Sequence, residues 1–110
     1  MKRGAAIIPI AQTTGRVLIG LRSGKVSRPN TWALLAGGRE SGESYAQTVV
    51  RELEEETGYD GPIDVRRLPG ATKNVLLGIV PDEFPPILNW ENTDAAWVTP
   101  SESINLLGEA

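Results

Sequence analysis

The chain of 110 residues contains no cysteine and no histidine. Without cysteine it can form neither a disulfide nor a thiolate metal site. Without histidine it has no imidazole metal ligand, no histidine general base and no histidine-containing catalytic triad. Any acid–base or metal chemistry must therefore be carried out by aspartate and glutamate. Their oxygen atoms favour hard divalent cations such as Mg²⁺ and Mn²⁺.

Long apolar runs are also missing, because none approaches the roughly 20 residues that a membrane-spanning helix needs. The apolar stretch from Ala5 to Ala11 is short and contains Pro9, so it favours a β-strand over a signal peptide. We therefore expect a cytoplasmic protein with no membrane partner. No basic face typical of nucleic-acid-binding proteins is evident, so we expect no nucleic-acid polymer as a partner.

The negative charge is concentrated in one segment. The formal net charge is −3, but residues 39–56 alone hold six glutamates against two arginines, so the rest of the chain is net positive by one. Hydrophobic residues make up 40% of the chain and charged residues 23%, as in ordinary globular proteins. The length allows one modest core, and we expect a single domain over residues 1–110.

Apolar periodicity and turn-forming residues predict strands and loops on both sides of one acidic segment. The predicted strands cover residues 4–11, 16–21, 32–35, 63–68, 74–80 and 95–98, and the predicted loops cover residues 23–31, 36–42 and 81–86. The first two strands are expected to form a hairpin through Thr14-Gly15. A short helix is expected to open at Ser101 and to run through Leu107.

One helix is predicted over residues 45–57. Ser44 and Gln47 form a capping-box pattern, and Gly58 is placed to end the helix in a left-handed conformation. The apolar residues recur at the spacing of one helix face, which is expected to pack on the core: Ala46, Val49, Val50 and Leu53. The order of strands, helix, strands and helix predicts an α/β sandwich with a mixed sheet.

Three carboxylates share an arc beside that apolar face, because Glu52, Glu55 and Glu56 lie within about one turn of a 3.6-residue helix. Glu52 and Glu56 repel each other as an i, i+4 pair, and acids near a helix C-terminus oppose the helix dipole. A divalent cation would turn this repulsion into ligation and could carry a phosphate chain. Taken alone, such a run is more commonly a solvated acidic face.

Neighbouring residues add to the carboxylate arc. Arg51 lies four residues before Glu55 and can pair with it, and Glu43 can fold back toward Arg51. The adjacent glycines Gly37 and Gly38 would let backbone approach a metal or phosphate closely and adopt unusual dihedral angles.

Residues Gly37 to Tyr59 resemble the Nudix box, G-x5-E-x7-R-E-U-x-E-E-x-G-U, in which U is a bulky aliphatic residue. Eight of its nine specified positions match, namely Gly37, Glu43, Arg51, Glu52, Leu53, Glu55, Glu56 and Gly58. Tyr59 departs from the pattern at the last position. Upstream of the box, Leu35 and Ala36 stand where the family more usually has proline and glycine.

The resemblance implies a Nudix-type α/β/α sandwich with a mixed central sheet. It also implies a hydrolase that cleaves a phosphoanhydride bond in a nucleoside diphosphate linked to another group X, with Mg²⁺ or Mn²⁺ as cofactor. The implied metal ligands are Glu52, Glu55 and Glu56, with the Ala36 carbonyl as a further one. Arg51 would orient the glutamates, and Glu43 would pair with Arg51 or reach a metal through water.

Several roles stay open at this point. The general base is expected to be Glu52, with Glu91 as the alternative, since family members differ here. Arg22 and Arg28 either hold phosphates or form a solvated basic loop, and Trp90 either stacks on a base or lies in a plain loop.

The length of the chain also bears on the substrate. Short loops favour a compact substrate such as a nucleoside triphosphate, and a homodimer is common among similar proteins. A catalytically silent nucleotide-binding or regulatory domain is the alternative function, and a structural protein with an acidic helix is a third.

Overall fold

The computed structural model describes residues 4–108. This part of the chain forms seven strands and two helices, which are β1 (Gly4–Ala11), β2 (Val17–Arg22), β3 (Trp32–Ala33), β4 (Leu35–Gly38), α1 (Tyr45–Thr57), β5 (Asp64–Arg67), β6 (Val75–Val80), β7 (Asn92–Val98) and α2 (Pro100–Leu107). None of the helices in residues 4–108 has both the length and the apolar character that crossing a membrane requires.

The strands form one mixed sheet centred on β1. β1 runs parallel to β6 along six residue pairs, and β5 lies antiparallel on the outer side of β6. The other side of β1 is shared between two antiparallel partners, β4 near its start and β2 near its end. The predicted β1–β2 hairpin is confirmed, although the two strands then diverge. β2 continues the sheet by pairing with both β3 and β7.

The two helices cover opposite faces of this sheet. Ile7 and Leu18 belong to a buried cluster with Val49 and Leu53 of α1. Ile19 belongs to a second cluster, against which the α2 residues Leu106 and Leu107 pack. Successive strand residues point to opposite faces, so the two clusters lie on either side of the sheet. The predicted α/β/α sandwich with a mixed sheet is therefore confirmed.

Helix α1 has the bounds that the sequence predicts. The Ser44 side chain accepts from Gln47 N while the Gln47 side chain accepts from Ser44 N, and Gly58 closes the helix at φ 76°. The predicted core face is wrong in part, because Ala46 is exposed and Val50 is 40% exposed.

The buried face of α1 is rotated toward the acidic arc. It comprises Thr48, Val49, Glu52, Leu53, Glu56 and Thr57. The rotation is possible because the polar members of this face find partners within the fold, which offsets part of the cost of burying them. The helix thereby presents two of its carboxylates to the sheet.

Several boundaries differ from the prediction. The strand predicted over residues 32–35 is divided into β3 and β4, and β2, β5 and β6 differ from the prediction by one residue at one or both ends. Residues 36–38 extend strand β4 instead of beginning a loop, because they pair with the free edge of β1 at Ala6, Ala5 and Gly4. β7 begins at Asn92, three residues early. α2 begins at Pro100, since Thr99 is its N-cap and proline suits the first helical position better than Ser101 does.

Candidate functional site

Arg51 is the centre of a carboxylate cluster at the end of β4. Its Nε and Nη2 donate to the two Glu43 oxygens at 2.7 and 2.9 Å, and its Nη1 donates to Glu52 at 2.9 Å and to Glu55 at 3.2 Å. Nη2 also donates to the Gly38 carbonyl at 2.9 Å. The predicted pairing of Arg51 with Glu55 and the return of Glu43 to Arg51 are both confirmed.

This network keeps Glu43 ionised. The Arg51 guanidinium lowers the pKa of the Glu43 carboxyl to about 2, helped by hydrogen bonds from the Glu40 backbone and the Thr48 hydroxyl. The same contacts raise the pKa of Arg51 further above its already high value. Glu40 joins the cluster through an ion pair of 3.3 Å with Arg51. Glu40 was not predicted as a site residue, because a single glutamate in a loop carries no spacing signal.

The Glu52 carboxylate lies in a space that glycine leaves open. A Cβ atom at Gly37 would lie 2.0 Å from Glu52 Cδ, so any larger residue there would collide with the carboxylate. The space at Gly37 is thus taken up by the Glu52 side chain, while the predicted approach of this backbone to a metal or phosphate stays a prediction. The unusual dihedral angles are not found, since neither Gly37 nor Gly38 has a positive φ. Gly38 has open space where a Cβ would stand. Burial, and next the charge of Glu55, raise the pKa of Glu52.

Glu56 is the most enclosed acid of the group, with 3% of its surface exposed. Its Oε1 accepts from Asn92 Nδ2 at 3.1 Å, and its Oε2 is buried with no hydrogen-bond partner among residues 4–108. Burial, followed by the charge of Glu91, raises the pKa of Glu56 to about 8. A buried carboxylate with one free oxygen is a costly feature unless a proton or a cation completes it.

The donor set fits a hard divalent cation. Glu91 raises the pKa values of both Glu52 and Glu56, and Glu52 also raises the pKa of Glu56, as carboxylates do when they lie close together. In the described residues no three acids lie close enough to ligate one ion together as they stand. Glu55 is turned outward to Arg51, with 49% of its side chain exposed. A cation bound by all of the predicted ligands therefore requires side-chain rotation at this cluster.

The basic loop and the start of β4 enclose a cavity of about 460 Å³. Its lining residues are Arg22, Ser27, Arg28, Thr31, Trp32, Ala33, Leu34, Ala36 and Leu107. Arg22 donates from Nε to the Ser27 carbonyl at 2.7 Å and from Nη2 to the Ser27 hydroxyl at 3.1 Å. The structure thus brings together three predicted site residues from different segments, the two arginines and Ala36.

Trp90 and Glu91 occupy the turn that leads into β7. Trp90 is 62% exposed and does not line the cavity of Arg22 and Arg28. Glu91 is half-buried, and its carbonyl accepts from Ser23 N at 2.9 Å, which ties this turn to the end of β2. The charge of Glu91 raises the pKa values of both Glu52 and Glu56, so Glu91 lies near these buried acids.

The buried acid predicts an unusual pH dependence of stability in the presence of a chelator. The folded pKa of Glu56, about 8, lies above the unfolded value of 4.5, so the folded state holds an extra proton between these pH values. The free energy of unfolding should therefore fall by roughly 2–5 kcal/mol as the pH rises from about 4.5 to 8. The lowered pKa of Glu43 acts oppositely and removes stability as the pH falls from about 4.5 to 2.

Denaturant unfolding with EDTA between pH 3 and 8 would measure this profile, which should have its maximum near pH 5. A flat or rising profile from pH 5 to 8 would show that Glu56 is not held in its neutral form by the fold.

Comparison with known proteins identifies the family to which this chain is similar. Residues 1–109 match the family model described as NUDIX domain. A CTP pyrophosphohydrolase of Escherichia coli K12 is 26% identical over 110 residues, which cover 94% of this chain and 82% of that protein. An octanoyltransferase of Myxococcus xanthus is 38% identical over 97 residues, but these are only 24% of its length. The crystal structure of RenU, a Nudix hydrolase from M. smegmatis, has a TM-score of 0.77 at 21% identity and covers 94% of this chain and 72% of its own.

Proposed function

This chain belongs to the NUDIX domain family and is a Nudix hydrolase, and from that premise we propose that it is a divalent-metal-dependent pyrophosphohydrolase. The bond cleaved would be a phosphoanhydride in a nucleoside triphosphate or a similar small nucleotide. One observation carries the proposal, namely the buried Glu56 carboxylate, whose free Oε2 lies beside the acids Glu52 and Glu91. Such a group costs free energy until a proton or a cation completes it, and the neighbouring acids favour a cation.

The residues that would hold Mg²⁺ or Mn²⁺ are Glu52, Glu55 and Glu56, with the Ala36 carbonyl and Glu91 as further candidate ligands. When bound, such an ion offsets the charge of the phosphate oxygens and lowers the pKa of a coordinated water. The raised pKa of Glu56, about 8, means that a cation has to displace a proton from this carboxyl at neutral pH. Apparent metal affinity is therefore expected to rise with pH.

Glu52 is the proposed general base. Its carboxylate is held by Arg51 at 2.9 Å, and burial raises its pKa toward the range in which a base works best near neutral pH. Glu43 holds Arg51 from the opposite side, so the guanidinium is fixed as a support for Glu52. Glu91 stays the alternative base, because it is half-buried near the same acids. Among residues 4–108, Arg51 forms no ion pair with Glu91.

The cavity beside Ala36 is the proposed substrate site. Arg22 and Arg28 would bind phosphate oxygens there, since guanidinium groups match phosphate geometry well. Trp32 lines this cavity and offers an aromatic wall for a base, whereas Trp90, for which base stacking was one of two open roles, does not line it. A cavity of about 460 Å³ suits one nucleotide better than a dinucleotide. The similarity to a CTP pyrophosphohydrolase also favours a nucleoside triphosphate.

A substrate panel tests the proposal directly. Purified protein with Mg²⁺ or Mn²⁺ would be assayed on nucleoside triphosphates, with CTP first, and then on nucleotide sugars and dinucleotides, with product phosphate measured after a phosphatase or pyrophosphatase step. We expect hydrolysis of at least one triphosphate, loss of activity in EDTA and its return with added metal. Folded protein that binds nucleotide by calorimetry but cleaves none of these compounds would instead favour the silent binding domain.

Three broader predictions accompany this function. A cytoplasmic location, a homodimer and a single domain over residues 1–110 stay predictions, which cell fractionation, sedimentation equilibrium and limited proteolysis would respectively check.

A further inference from the structure

The start of β7 contains a β-bulge that changes the direction of one side chain. Leu21 pairs with Asp94 and Arg22 pairs with Asn92, so Thr93 is an extra residue on β7. Bulges of this kind re-aim side chains and are common beside active sites. Thr93 is exposed, whereas Asn92 is buried.

Regular alternation would put Asn92 on the wrong face of the sheet. Ala95 and Trp97 pack in the α1 cluster, while Ala96 packs in the cluster on the opposite face. An unbroken strand would therefore point Thr93 toward α1 and Asn92 away from it. Because of the bulge, Asn92 instead reaches α1 and donates from Nδ2 to Glu56 Oε1 at 3.1 Å.

A glycine on the neighbouring strand makes room for this amide. A Cβ atom at Gly20 would lie 2.8 Å from Asn92 Oδ1 and 3.1 Å from a methyl carbon of Leu35. Gly20 pairs with Ala95 and so belongs to the same face of the sheet. The bulge and the glycine together fix the Asn92 amide in one place against Glu56.

We propose that Asn92 is a positioning residue, which holds Glu56 Oε1 and leaves Oε2 free to bind a divalent cation. This inference rests on the proposed function, because it assigns Asn92 a task at the proposed metal site. A neutral amide suits that task, since it orients the carboxylate without competing for it as a cationic side chain would. The contact at Oε1 fixes the orientation of the whole carboxylate, as residues that hydrogen-bond to metal ligands commonly do.

The test compares Asn92→Leu with Thr93→Val by titration with Mn²⁺ alone, followed by the electron paramagnetic resonance signal of free Mn²⁺. Leucine has nearly the shape of asparagine but no donor, so it preserves packing and removes only the contact with Glu56. We expect the Mn²⁺ dissociation constant to rise by roughly 10–100-fold for Asn92→Leu, the usual effect of losing a residue that orients a ligand. Thr93→Val, in the same bulge, should bind like the unmodified protein.

Gly20→Ala is the second variant, in case Asn92→Leu fails to fold. The added methyl group would displace the Asn92 amide while keeping its chemistry, so it should weaken Mn²⁺ binding in the same direction. Folded Asn92→Leu or Gly20→Ala protein with unchanged Mn²⁺ affinity would overturn the inference, as would an unmodified protein that binds no Mn²⁺. If the unmodified protein binds Mn²⁺, the two variants bind it more weakly and no nucleotide is hydrolysed, the result would contradict the proposed function alone.

Discussion

Replacing Glu56 by glutamine is expected to lower kcat/KM by roughly 10³-fold, because a ligand worth several kcal/mol of transition-state stabilisation is lost. The amide has nearly the same shape, so Asn92 can still donate to its Oε1 and the fold is kept. Activity on the best substrate of the panel, measured at saturating Mg²⁺ and Mn²⁺, gives the result. A variant that turns over at the rate of the unmodified protein would show that Glu56 is not a metal ligand.

The same substitution should stabilise the protein when metal is absent. At pH 8 the fold holds Glu56 either protonated or as a buried charge beside Glu52 and Glu91, and both states cost free energy relative to the unfolded chain. A neutral amide removes that cost, so the free energy of unfolding in EDTA at pH 8 should rise by roughly 2–5 kcal/mol.

Glu54→Gln is the matched control for both measurements. Glu54 lies on the same helix but is exposed on the face away from the buried acids. Its substitution should leave the activity within about twofold and the stability within about 0.5 kcal/mol. We expect Glu56→Gln to lower activity and raise stability, and Glu54→Gln to change neither. This combination is typical of a functional site whose geometry lowers the stability of the fold.

The sequence was sufficient to predict α1, because local signals define both of its ends. The Ser44–Gln47 capping box and Gly58 act within one turn of the chain, so the predicted bounds of residues 45–57 are those of the structure. The sandwich could be predicted as well, since strand and helix periodicities alternate along the chain. These features depend on neighbours in sequence and not on what packs across the sheet.

The orientation of α1 could not be predicted in the same way. Apolar periodicity points Ala46 and Val50 inward, yet the structure exposes both and buries Glu52 and Glu56. Apolar periodicity assigns every glutamate to the surface and so does not predict the burial of Glu56. The partner that permits this burial lies far away in the chain. Asn92 is 36 residues from Glu56, and its approach depends on a bulge that no local spacing signals.

A second large effect is expected for Gly37→Ala. The new Cβ atom would lie 2.0 Å from Glu52 Cδ and less than 2.5 Å from both of its oxygens, so the carboxylate has to leave its place. Displacing the proposed base and ligand by about 1 Å or more should lower kcat/KM by roughly 10²-fold or more. Overpacking should also cost about 1–3 kcal/mol of stability. Activity assays and denaturant unfolding measure the two effects.

Gly38→Ala separates this steric effect from a general requirement for glycine in β4. The two residues are adjacent, neither has a positive φ, and a Cβ at Gly38 meets nothing within 4 Å. The Gly38 carbonyl that accepts from Arg51 is also kept in alanine. Gly38→Ala should therefore lose far less activity than Gly37→Ala. Equal losses in the two variants would mean that backbone freedom, and not the space for Glu52, is what the glycine pair supplies.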